Sequence, residues 1–201
     1  MDYRKIKVPF LGNIVIKNGA DLFRKKFRVY SVPVDIEKII ELGLKISLIP
    51  VPNFQNFCDT DALITSNWQF IYVDKDRYQD ERFQNRLRFS LAHEIGHFVL
   101  HKGIYNSFNI KTISDFYRFV EQIPQNQYNY LEIQANKFAS YLLVPRKILV
   151  IEREKALKEA DKSIPLEKIG KDSLNSYLAI PISGVFGVSE DVIQFALNEI
   201  N

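Results

Sequence analysis

The sequence predicts an α+β domain in which a small sheet is followed by a set of helices, and three observations predict it. Between Leu44 and Val73 the chain holds short β-rich runs, punctuated by Pro50 and Pro52 and by the link Ser66-Asn67-Trp68. From about Asp76 the apolar residues recur at spacings of three and four, the period of a helix. All three histidines, His93, His97 and His101, then fall inside that helical stretch.

The first thirty residues carry the weakest pattern. Ile14, Val15 and Ile16 form a short apolar run, Asn18-Gly19 reads as a turn, and Asp21 to Tyr30 reads as a short basic helix. After Val32-Pro33-Val34, Asp35 is a good N-cap for a helix with an apolar stripe of Ile36, Ile39, Ile40 and Leu42, and Gly43 is its expected stop. Leu44 to Ile49 reads as a strand ended by Pro50. Ala62–Thr65 and Gln69–Val73 read as a hairpin, giving a small, partly antiparallel, three-stranded sheet. Phe83, Leu87, Leu91, Ile95 and Phe98 mark a long helix over Arg77–Lys102, with Gly103 as its stop. Residues 104–126 show no clear pattern. Tyr130–Val144 is a strong helix, with Leu131, Ala135, Phe138, Ala139 and Leu142 on one face and Pro145 at its end. Lys147–Lys162, Leu166–Leu178 and a helical pair over Ile180–Asn201 close the chain.

Composition narrows the class. The chain has 201 residues, 46% of them hydrophobic, enough for one compact core with a small appendage. No apolar run reaches the roughly 18 residues that span a bilayer, and no apolar leader follows the charged N-terminus, so neither a membrane span nor a secretory signal is expected. The single cysteine, Cys58, cannot form an internal disulfide. A reducing, cytoplasmic setting is therefore expected, with Cys58 as a small buried hydrophobe. A net charge of +3, from 27 basic and 24 acidic residues, is too mild to imply nucleic-acid binding by itself.

The run His93-Glu94-Ile95-Gly96-His97 is H-E-x-x-H. On a helix, residues four apart sit one above the other, so His93 and His97 can point at one metal ion. Glu94 lies about 100° round from His93, beside that ion and placed to act as general base. A catalytic zinc takes three protein ligands, so one more is needed. His101 is a poor choice, because on a continuous helix it lies about 12 Å along the axis from His93. A helix-terminus or outer contact suits it better. Glu132 is the favoured third ligand: it sits early in the next helix, and Asn136, one turn on, can hydrogen-bond a ligand and fix its orientation. Glu121 is the reserve candidate.

Three blocks in this order resemble the ImmA/IrrE metallopeptidases. They are Val32-Pro33-Val34-Asp35-Ile36 with Gly43-Leu44, then Arg88-Phe89-Ser90-Leu91-Ala92-His93-Glu94-Ile95-Gly96-His97 through His101, then Glu132-x-x-Ala135-Asn136-x-Phe138-Ala139-x-x-Leu142-Leu143-x-Pro145. The resemblance implies a zincin-like core over residues 32–146, preceded by an extension over 1–31 and followed by a helical segment over 147–201. In it His93, His97 and Glu132 hold Zn2+ and Glu94 is the catalytic acid and base. It further implies a bacterial or mobile-element role, in which a helix-turn-helix repressor is the protein substrate and its cleavage switches on genes. Val144 stands where the family usually has Met, a mild departure.

A rival reading comes from Ile182 to Ile193, which has the cadence of a helix-turn-helix, so the protein could instead be a DNA-binding regulator with a non-catalytic metal site. The second helix of that pair carries Glu190, Asp191 and Glu199 and neither Lys nor Arg, which argues against direct DNA binding and for a packing module. A protein that works by binding its partner without cleaving it is the third reading.

Overall fold

Ile16, Ala20 and Phe23 recur at helical spacing, and in the computed structural model, which describes residues 2–162 and 170–200, they form the buried stripe of helix α1 (Asn13–Lys26). This corrects the reading of that stretch. The apolar run at 14–16, the turn at Asn18-Gly19 and the helix over 21–30 are one continuous helix, with Ile14 and Val15 facing solvent. Packing, not propensity, holds Asn18 and Gly19 in it. A 3₁₀ turn at Tyr3–Lys5 precedes α1, and Tyr3 is buried edge-on against Phe108 and Phe119.

Asp35 caps α2 (Ile36–Lys38), accepting from the Lys38 amide at 3.1 Å. The chain then continues as a π turn over Ile39–Leu44. Gly43 lies inside that turn, and Lys45, at φ 61°, is the residue that ends it. Three strands follow: β1 (Ser47–Val51), β2 (Ala62–Ile64) and β3 (Phe70–Asp74), with α3 (Phe54–Cys58) between the first two. The sheet order is β1-β3-β2; β1 runs parallel to β3 and β2 pairs with it antiparallel, in the register Leu63 opposite Tyr72. The first strand extends through Pro50, where a stop was expected. As an edge strand, β1 leaves one side without a ladder partner, and a residue lacking N–H is tolerated there.

The long helix expected over 77–102 is split. α4 (Lys75–Gln79) is capped by Asp74 and ends at Asp80, whose extended backbone breaks the run. A 3₁₀ turn at Glu81–Phe83 leads into α5 (Gln84–Leu100). α5 stops before His101, and α6 (Lys102–Tyr105) starts beyond it, so the expected stop at Gly103 lies within a helix. The stretch read as featureless contains α7 (Ile113–Gln122). It is opened by a capping box in which Thr112 and Asp115 satisfy each other's amides. α8 (Gln125–Leu143) begins directly after Pro124, five residues earlier than its apolar stripe suggests.

The C-terminal part is α9 (Arg146–Asp161), α10 (Lys171–Phe186) and α11 (Glu190–Ile200). The expected helix start at Leu166 lies outside the described residues. α10 runs through Pro181 to Phe186, so residues 180–186 belong to it and do not form a separate helix. Gly187, at φ 61°, turns the chain, and α11 leaves at 113° to α10, an angle within the helix-turn-helix range. The Arg88 guanidinium donates to the Gly187 carbonyl and ties this turn to α5.

The layers that matter for the site are β2, then α5, then α8, then α1. Leu87, Leu91 and Ile95 of α5, Leu131, Phe138 and Leu142 of α8, and Ile16 and Phe23 of α1 share one buried core. No single described helix is long and apolar enough to cross a membrane.

Candidate active site

The close approach of α5 and α8 sets the site. Gly96 lies against Ala135: a Cβ at position 96 would stand 3.0 Å from both the Cα and the carbonyl oxygen of Ala135. A side chain there would hold the helices apart. Because it is absent, Glu132 and Asn136, on either side of Ala135 in sequence, come down onto the histidine face of α5.

His93 and His97, one turn apart on α5, present Nε2 atoms 3.0 Å from each other. Glu132 Oε2 is 3.2 Å from His93 Nε2, and its Oε1 is 3.6 Å from His97 Nε2. Each ring is held from behind. Asn136 Oδ1 is 2.8 Å from His93 Nδ1, and His101 Nδ1 is 3.0 Å from His97 Nδ1. Thus the structure brings together His93, His97, Glu132, Asn136 and His101, while Glu121 sits exposed on α7. The His101 amide still bonds to the His97 carbonyl, so His101 stacks one turn beyond His97 by the ordinary four-residue spacing. It contacts the far nitrogen of His97, not the Nε2 pair.

Glu94 enters from the sheet side. The Thr65 amide bonds to Phe70 and the Asp74 amide to Asp61, so these odd-numbered positions of the strand face β3. By alternation the Ile64 N–H points the other way. It donates to Glu94 Oε2 at 2.7 Å, which pins a carboxylate that is only 5% exposed. One donor atom from each of His93, Glu94 and His97 lies within 4.8 Å of the others. Two carboxylates therefore flank the rings, but they differ: Glu94 commits one oxygen to an amide, whereas both oxygens of Glu132 face the Nε2 atoms.

Burial disfavours charge on His93, yet Glu132, Glu94 and Asn136 together outweigh it and raise the ring to about 9. Burial, partly opposed by His93 and the Ile64 amide, raises Glu94 to about 7. Burial, then His93 and His101, hold His97 well below its usual value.

The donor set fits a small cation. Ligands at about 2.0–2.1 Å from a tetrahedral zinc stand about 3.3 Å from one another. The two Nε2 atoms are 3.0 Å apart, and each has a different oxygen of the Glu132 carboxylate beside it, at 3.2 and 3.6 Å, close to that value. With Nδ1 of each ring engaged elsewhere, both Nε2 atoms face the Glu132 carboxylate.

A cleft of about 440 Å³ opens over this cluster. Ala62 and Leu63 of β2 form one wall, and Phe116, Phe119 and Val120 of α7 form the other. Tyr105 and Tyr128 also line it. Burial first, then the charges of Glu94 and Glu132, hold both phenols protonated and able to donate. Sequence reasoning missed these residues and Gln134. A signal for Gln134 existed: with Leu131, Ala135 and Phe138 it occupies the i, i+3, i+4, i+7 stripe, and a polar residue at a buried stripe position needs a partner.

A peptidase-family model, the IrrE N-terminal-like domain, matches residues 77–198, from α4 to α11. No curated protein matches the chain.

Proposed function

Because the chain belongs to the IrrE N-terminal-like peptidase family, we propose that it is a zinc-dependent endopeptidase in which His93, His97 and Glu132 hold the metal and Glu94 moves the proton. The observation that carries this reading is the approach of His93 Nε2, His97 Nε2 and the Glu132 carboxylate to within 3.0 to 3.6 Å of one another, on two helices in close contact at Gly96 and Ala135.

Zinc, when bound, supplies positive charge that polarises a carbonyl and acidifies water. The remaining work belongs to side chains. His93 donates its Nδ1 hydrogen to Asn136 and keeps the Nε2 lone pair for the metal. Glu94, held at the floor of the cleft beside both rings, takes a proton from water and returns it to the leaving amine. The Ile64 amide holds the carboxylate in one plane while it does so. The apolar walls from β2 and α7 shed water and receive an extended peptide. As substrate we propose a helix-turn-helix repressor, the class the ImmA/IrrE resemblance implies, so that cleavage relieves repression.

The test is Glu94→Gln, which keeps shape and removes the base. Zinc binding is expected to persist, while cleavage of a repressor substrate, read by mass spectrometry of the fragments, falls by about 10²–10⁴. A variant that still cuts at the parental rate would refute the assignment of Glu94.

A further inference from the structure

The ring behind His97 is itself held, and the chain of contacts ends outside the two helices. Gln134 of α8 is 4% exposed and His101 is 1% exposed. Gln134 Nε2 donates to the main-chain carbonyl of Pro9 at 2.9 Å, and Gln134 Oε1 lies 3.0 Å from His101 Nε2. His101 Nδ1 in turn lies 3.0 Å from His97 Nδ1.

The direction of each bond follows from Pro9. A carbonyl oxygen only accepts, so the nitrogen end of the Gln134 amide must face it, and the oxygen end faces His101. His101 Nε2 must then carry the hydrogen. A neutral imidazole has one N–H, which leaves His101 Nδ1 bare and accepting. The metal end gives the same answer independently. If His97 offers its Nε2 lone pair to a cation, its single N–H is on Nδ1. One hydrogen therefore sits between the two Nδ1 atoms, donated by His97, and the two lines of reasoning meet without a clash or a gap.

We infer that Pro9, Gln134 and His101 form a directed hydrogen-bond relay that locks His97 in its Nδ1–H form and aims Nε2 at the metal, so that the segment before α1 helps to set metal affinity. This rests on the reading of His97 as a ligand. His101 and Gln134 are positioning residues, acting through His97. The N-terminal segment is fixed well enough to anchor them. The Val8 amide donates to Gln127 Oε1 at 2.7 Å, two turns before Gln134 on α8, and the Tyr3 hydroxyl accepts from the Asn109 amide.

Long-range ¹H–¹⁵N correlation of the histidine rings in the zinc-loaded full chain reads the relay directly. It should show hydrogen on Nδ1 of His97 and on Nε2 of His101; hydrogen on Nδ1 of His101 overturns the inference without any substitution. Gln134→Leu and His101→Phe preserve volume and remove the acceptors. His101→Phe should weaken zinc binding about ten- to hundredfold in chelator competition, the usual effect of losing a ligand's outer partner, and Gln134→Leu, one bond further out, should weaken it by a smaller factor. Parental affinity in Gln134→Leu, with its helical circular dichroism intact, overturns the relay. His97→Ala separates the two levels. Lost binding there with intact binding in Gln134→Leu refutes the relay alone, whereas intact binding in His97→Ala refutes the ligand reading beneath it.

Discussion

Gly96→Ala tests the contact on which the site is built. The added Cβ would meet Ala135 Cα and O at 3.0 Å and Ala135 Cβ at 3.3 Å. Contacts this tight are rare for a real Cβ, so α5 and α8 must give by a few tenths of an ångström. Two of the three atoms belong to the backbone in the middle of a helix, and no side-chain rotation can relieve them. Overpacking of this kind costs about 1–3 kcal/mol. The gain in helix propensity from Gly to Ala returns about 1 kcal/mol, so the net loss of stability is about 0–2 kcal/mol. Function should suffer more than stability. Metal sites tolerate only about 0.2 Å of error in their ligand distances. Glu132 and Asn136 move with Ala135, whereas His93 and His97 stay with α5. Zinc affinity, measured by competition with a chromophoric chelator, should fall at least about tenfold, the lower end of the loss for a displaced outer partner. Thermal melts without metal supply the control for folding. Parental zinc affinity in a folded Gly96→Ala protein would refute the argument that this contact sets the ligand spacing.

Three further outcomes follow from the same geometry. Glu132→Ala removes a proposed ligand and should lower zinc affinity by more than Asn136→Ala does, for which roughly ten- to hundredfold is expected; equal losses in the two titrations would contradict the ligand role. Asp61, 3% exposed and bonded to both Arg77 and Arg86, anchors the start of β2 to α4 and α5. Asp61→Asn should destabilise the fold by about 1.5–3 kcal/mol in urea titration, nearer the lower figure because Arg86 is largely solvated. Thr112→Ala breaks the capping box of α7 and should cost about 1 kcal/mol, seen as faster hydrogen exchange at the Asp115 amide, whose partner is the Thr112 hydroxyl.

What was legible in the chain follows from how local each contact is. The pairing of His93 with His97 depends only on helical spacing, so H-E-x-x-H shows it directly. Glu132 and Asn136 were visible as a stacked pair beside an apolar stripe, but nothing local says which face of α5 they meet; the Gly96–Ala135 contact decides that. The β2–β3 hairpin was marked by its link at Ser66-Asn67-Trp68. Helix α7 was missed although Thr112 and Asp115 stand at capping-box spacing, because the apolar residues after them are mixed with charges. Helix α1 was misread because Ile14, Val15 and Ile16 imitate a strand, and only packing on α8 shows that Ile16, Ala20 and Phe23 are the meaningful set. The Gln134 contacts were hidden for another reason: they join residues 33 and 125 positions apart.

The arrangement around Ala135 explains why one short contact carries so much. At about 100° per residue, Glu132 and Asn136 fall on one side of Ala135 and Gln134 on the other. The first two reach the cleft and the His93–His97 pair. Gln134 reaches away from the cleft, where His101 meets it and the segment around Pro9 covers both. Metal-facing and rear-facing polar groups thus straddle one close contact between two apolar stripes. A cation that binds these donors only when α5 and α8 are packed stabilises the packed pair by mass action, about 2.7 kcal/mol at a free concentration one hundred times its dissociation constant. The reverse linkage also holds: a change that disfavours the packed pair lowers the apparent affinity to the extent that it depopulates that pair. Binding of a metal and the packing of α5 on α8 are therefore coupled, and the close backbone approach of Gly96 to Ala135 is where they join.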